Sequence, residues 1–126
     1  MNRKFNPDYL YIEDLKTILE ILDHEKLNEE KRTMYRKSAL LKIRKLSDSF
    51  IRFSDAEDKN KRFSAREAEK ILATAMSSSD LELKKKAFSI ILDAERLGIN
   101  LLKSTVLKFR KVEEELAINQ KRKTLR

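Results

Sequence analysis

KRTMYRKSALLKIRKLSDSFIRF, residues 31 to 53, is the stretch whose reading decides the fold. Eight Lys or Arg (Lys31, Arg32, Arg36, Lys37, Lys42, Arg44, Lys45, Arg52) stand against one acid, Asp48, and supply +7 of a formal net charge of +8. At about 100° per residue on a helix, Tyr35, Ala39, Ile43, Leu46, Phe50 and Phe53 fall on one side, widened by Leu40 and Ile51. Lys31, Lys37, Lys42, Arg44, Lys45 and Arg52 fall on the other. Period and segregation together predict an amphipathic helix with an apolar inner face and a cationic outer one.

The composition around this helix points the same way. In 126 residues there is one Gly and one Pro, and 40% of the side chains are charged. Ala, Leu, Ile, Glu, Lys and Arg dominate, which favours helix throughout. A chain of this length forms one domain large enough to bury a core. Cysteine is absent, so disulfides, thiolate metal sites and a nucleophilic thiol are excluded, in keeping with a reducing compartment. The N-terminal MNRKFNPDYL lacks the apolar run of a secretory signal. Nor does any apolar run approach the ~20 residues that span a bilayer. A soluble, cytoplasmic protein is expected.

Outward from the basic helix, the chain divides into four further helical segments. Asn6-Pro7 reads as N-cap and first position of a helix over Pro7–Glu25, with Tyr11, Ile12, Leu15, Ile18, Leu19 and Leu22 inward. Glu13, Glu20, Asp23 and the lone His24 lie opposite, where His24 reads as a solvated surface residue. Lys26-Leu27-Asn28 is a turn, Asn28 caps the basic helix, and Glu29 and Glu30 suit its positive end. The first two helices thus form an αα-hairpin in which acidic and basic partners partly neutralise each other.

Ser54–Arg62 is polar and aperiodic, and is expected to be a loop and hinge. Ser64-Ala65-Arg66-Glu67 matches a capping box for a helix over Ala65–Ser77, burying Ala68, Ile71, Leu72, Ala75 and Met76. Ser77-Ser78-Ser79 breaks it, and Ser79-Asp80-Leu81-Glu82 is a second capping box. The fourth helix, Asp80–Leu97, is apolar around more than half its circumference and is expected to be the most buried. Gly98 suits a left-handed cap with Ile99 as its apolar partner. Asn100 then caps a fifth helix from Leu101 past Asn119, whose inner arc is Leu101, Leu102, Val106, Phe109, Val112 and Leu116. Leu107 and Ile118 point outward, as stray surface residues or as a contact surface in an oligomer.

The fold expected is therefore all-α, about five helices in a compact helical bundle over 1–126. An N-terminal αα-hairpin (1–53) precedes a three-helix unit (64–126), with 54–63 as the place where the two could divide.

Catalysis has little to rest on. There is no Cys, one His and no glycine-rich loop, and most carboxylates have basic neighbours three or four positions away. No enzyme, cofactor, metal or small-molecule substrate is expected. Ala94–Leu107 has the Ala, Gly, Ile and Leu of a helix-turn-helix at Ala94, Gly98, Ile99 and Leu107. Asp93 and Ser104 break the pattern, and an ordinary C-capped corner is the better reading. In a true motif the fifth helix would read DNA through Lys103, Lys108, Arg110 and Lys111.

The stronger feature is the cationic half of the second helix. Its six cations, Lys31, Lys37, Lys42, Arg44, Lys45 and Arg52, extend over about 30 Å, comparable to one turn of duplex DNA. With the basic tail at Lys121, Arg122 and Lys123, they form the expected nucleic-acid-binding set, meeting DNA or RNA through the phosphate backbone. Tyr35 and the Phe residues of that helix face the core, which gives no indication of stacking on unpaired bases. The leading expectation is a non-enzymatic nucleic-acid-binding accessory protein, acting as an oligomer or within a nucleoprotein assembly. The alternative is an adaptor or inhibitor that docks on an acidic protein surface. A membrane surface is disfavoured because the apolar half is committed to the core.

Overall fold

The computed structural model describes residues 7–124, with side chains described for 15–117. Five helices follow one another, and the described residues contain no strand: α1 (Pro7–His24), α2 (Glu29–Phe53), α3 (Lys59–Met76), α4 (Leu81–Arg96) and α5 (Lys103–Thr124). The expected all-α bundle is the fold. Asn6 and the side chains of Tyr11, Ile12 and Glu13 lie outside the described residues.

Helix α2 begins where its cap requires. The Asn28 side chain accepts the Lys31 N–H at 2.8 Å, satisfying one of the N–H groups that a helix start leaves without a partner. Ala39, Ile43, Leu46 and Phe50 are buried, and Tyr35, Leu40 and Ile51 pack against the core, as the period requires. Helix α3 starts earlier than the Ser64 capping box implies. Asp58 takes the cap, its carboxylate accepting from the N–H groups of Asn60 and Lys61, and this adds a turn and a half ahead of Ser64. That added segment, Lys59 to Arg62, is exposed, which is why it carries no apolar period. The connection from α2 shrinks to Ser54–Asp58.

The expectation that α4 is the most buried helix is corrected. Helix α3 holds that place and packs against each of the other four. Ala65, Ala68, Ala73 and Ala75 on it are buried, and side chains that small let neighbours approach from several directions. Helix α4 buries Leu83, Ala87, Ile90, Ile91 and Ala94, while Leu81 and Leu97 at its ends are exposed. Counting apolar residues alone overlooked that a helix's end residues extend beyond its neighbours. One buried cluster runs from Leu15 and Leu22 of α1 to Phe109 and Val112 of α5. Phe109 stacks on Phe88 with ring centroids 4.8 Å apart and planes within 7°.

The corner between α4 and α5 is held by backbone geometry. Gly98 has φ +78°, the left-handed conformation that side chains disfavour. Its N–H donates to Glu95 O and that of Ile99 to Ala94 O, both at 3.0 Å, the two bonds of a Schellman cap. The connection Leu97–Leu102 is longer than the 3–4-residue turn of a helix-turn-helix, so the ordinary corner is the one formed. Lys84 of α4 and Glu115 of α5 close the pair at 2.8 Å. The Lys84 hydrogen bond holds the Glu115 carboxyl below its ordinary pKa.

Two buried carboxylates fix helix starts that the sequence placed one or two residues off. Asp80, not Ser79, caps α4, accepting the Leu83 N–H at 3.2 Å, and its other oxygen meets Arg36 Nε of α2 at 2.8 Å. Ser79 is turned toward Asp23 of α1, whose carboxylate also accepts from the Ser78 hydroxyl. At the other end, α5 begins at Lys103 and not Leu101. Glu69 of α3 is fully buried and accepts the Leu102 N–H at 2.7 Å while pairing with Arg66 at 2.8 Å. Asn100 contributes its backbone carbonyl, which accepts from Arg66.

Candidate nucleic-acid interface

The eight cations of α2 separate into two groups with different employment. Arg36 pairs with Asp80 and, at 3.6 Å, with Glu82; the Asp80 hydrogen bond raises the guanidinium pKa above its ordinary value. Arg32 donates to the Leu22 carbonyl of α1 at 3.3 Å. Both are half-buried and serve the fold. They are the two that fall outside the six-residue outer set.

Of that set, Lys31, Lys37, Arg44, Lys45 and Arg52 are exposed. Lys42 is half-buried and donates to Ser38 Oγ, one turn back, at 3.1 Å. Arg52 meets Asp48 at 3.3 Å on the same exposed surface and lies 5.9 Å from the centre of the Phe53 ring. An exposed i,i+4 pair of this kind contributes a few tenths of a kcal/mol, about 0.3–0.5, and yields readily to a phosphate. Asp23 of α1 is engaged by Ser78 and Ser79. The side chains of Lys121, Arg122 and Lys123 lie outside the described residues.

The outer face also carries two side chains absent from the sequence reading. Met34 and Leu41 are both 59% exposed. Seven residues apart, they lie in line between the cations, each followed three positions later by a basic residue, Lys37 or Arg44. An open groove of about 690 Å³ at the N-terminal end of α2 has Lys31, Met34 and Lys37 in its lining. The signal was available in the period: Met34 and Leu41 fall among the cations once the core positions have been assigned.

Two more residues escaped sequence reasoning. Glu69 shares the spacing of Ala65, Leu72 and Met76, which are buried, so its position on the inner side of α3 was readable. Phe63 is 66% exposed on the outer side of α3, within the turns assigned to a loop. On α5, Lys103, Lys108, Arg110 and Lys111 are exposed, beside a 72% exposed Leu107. Among the described residues no group of three or more His, Cys, Asp or Glu is arranged to hold a metal ion, and no helix is long and apolar enough to cross a membrane. No family model matches the chain, and no curated protein or solved structure is similar to it.

Proposed function

We propose that the protein is a non-enzymatic, cytoplasmic nucleic-acid-binding accessory factor. It grips the phosphate backbone through the outer face of α2 and works as an oligomer or as a subunit of a nucleoprotein assembly. The observation that carries this reading is the division of labour on α2. Arg32 and Arg36 are half-buried and bonded to groups outside α2, whereas Lys31, Lys37, Arg44 and Arg52 are exposed along about 30 Å with one acid, Asp48, among them. Cations set along a rigid helix neutralise phosphates and release counterions, giving affinity with little sequence preference. Fluorescence anisotropy against duplexes of two unrelated sequences at low salt is the test. Similar binding to both is expected, and binding to neither overturns the reading.

A second reading draws on Met34 and Leu41. An apolar pair bordered by cations also suits an acidic amphipathic helix of a protein partner. Replacing both with Gln separates the two. Phosphate binding is expected to stay within about twofold, since neither side chain carries charge. A protein partner seated on this face would lose roughly tenfold or more for two buried apolar contacts.

A further inference from the structure

Helix α3 turns its buried side to the other helices and leaves Lys59, Arg62, Phe63, Arg66 and Lys70 on its outer side, with one acid, Glu67, which meets Lys70 at 3.4 Å. In the middle of these cations stands Phe63, the exposed aromatic ring among the described residues. Its neighbours at i−4, i−1 and i+3 are Lys59, Arg62 and Arg66. Arg66 is committed to the fold, pairing with the buried Glu69 at 2.8 Å and donating to the Asn100 carbonyl, which leaves Lys59 and Arg62 as the cations beside the ring. A second, independent observation lies at the same corner. Arg52, the last cation of α2, and Lys61, from the first turn of α3, both lie over the half-buried Phe53 ring, at 5.9 and 5.3 Å. The cationic face of α2 therefore reaches the start of α3; Lys61 itself is about 160° around that helix from Phe63, and it is Arg62, beside the ring, that lines a cleft with Phe50 and Ser54 at the end of α2.

A cationic track that meets an exposed aromatic ring has the chemistry of a single-strand binding site. The ring offers its π face to any base, and the flanking cations meet the phosphates on either side. A duplex, whose bases are already stacked, has no use for the ring. We propose that Phe63 is a stacking platform for an unpaired nucleobase, with Lys59 and Arg62 holding the adjoining phosphates, so that a single-stranded segment is bound at the start of α3. This rests on the polyanion-binding reading of α2 and adds to it the class of nucleic acid.

The test compares wild type, Phe63→Ala and Phe63→Trp by anisotropy on a labelled oligothymidylate or oligouridylate of about fifteen nucleotides and on a duplex of equal length. Phe63 is on the surface and Ala is a strong helix former, so both variants keep the helical circular dichroism of wild type. Phe63→Ala is expected to weaken single-strand binding roughly 5- to 100-fold and to leave duplex binding within about twofold. The chain contains no Trp, so Phe63→Trp introduces one indole, whose emission is expected to be quenched by the single strand and not by the duplex. The thymidylate and uridylate arms tell DNA from RNA; binding in either supports the platform. If wild type binds duplex and Phe63→Ala binds both ligands unchanged, the platform is overturned and the α2 reading stands. An equal loss on both ligands overturns it too, since stacking on a base is then not what Phe63 does. If wild type binds neither at low salt, both readings fall.

Discussion

Charge reversal at Lys37, Arg44 and Lys45 together is expected to abolish oligonucleotide binding at 0.1 M salt while leaving the fold intact. All three are exposed on α2, outside the buried core. Each Glu removes one phosphate partner and adds a charge that repels a second, so three exchanges change the net charge of the face by six. With about 1 kcal/mol per exposed cation lost and a similar penalty for each acid gained, roughly 4–6 kcal/mol of binding disappears, a factor of a thousand or more. Glu is as good a helix former as Lys or Arg, so the melting temperature is expected to move by only a few degrees. The same exchange at Lys103, Lys108 and Lys111 on α5 is the control. Loss confined to the α2 variant assigns the interface to α2, and equal loss from both shows affinity that follows net charge alone.

Asp80→Ala is expected to lower the unfolding free energy by roughly 2–4 kcal/mol, a large share of the 5–15 kcal/mol typical of a small domain. Two effects add. The α4 N-cap is lost, about 1 kcal/mol, and Arg36 is left half-buried beside a more distant Glu82. Because Arg36 keeps access to water, the loss stays below the ~3–5 kcal/mol of a fully buried broken pair. Asp80→Asn separates the two effects, since Asn caps as well as Asp does and retains no charge for Arg36. Urea denaturation is expected to rank the proteins wild type, Asn, Ala in falling stability. An Asn variant as unstable as Ala would show the ion pair to be the larger contribution, and one as stable as wild type would show it to be negligible.

The helices themselves were legible because their period is local. Asn28, the face of α2 and Gly98 with Ile99 each depend on residues within a turn or two of each other, and each is found where that reasoning put it. The helix starts that were missed depend on distant partners. Ser79 and Asp80 are equally good caps in isolation. Asp80 is selected because Arg36, 44 residues away, sits against its second oxygen, while Asp23 draws Ser79 aside. Likewise the start of α5 is set by Glu69, 33 residues earlier, and not by the adjacent Asn100. The early start of α3 was hidden for a different reason: an exposed first turn carries no apolar signal, although Asp58 offered the cap. That miss mattered for the candidate interface. It turned the segment around Phe63 into a loop and so separated it from the helix on which the ring stands among cations.

At the interface, the sequence separated the six outer cations from Arg32 and Arg36 by angle alone, and the contacts explain why the separation is physical. The two excluded residues both reach partners on other helices. Met34 and Leu41 were passed over because attention to charge leaves out the uncharged residues between the cations.

The most direct measurement of the backbone-gripping role of α2 is the salt dependence of wild-type binding to a short duplex. With four to six cations engaged, log K against log salt is expected to fall on a line of slope about −3.6 to −5.4, the same for unrelated sequences. A slope near zero, or binding that survives at 1 M salt, would contradict it.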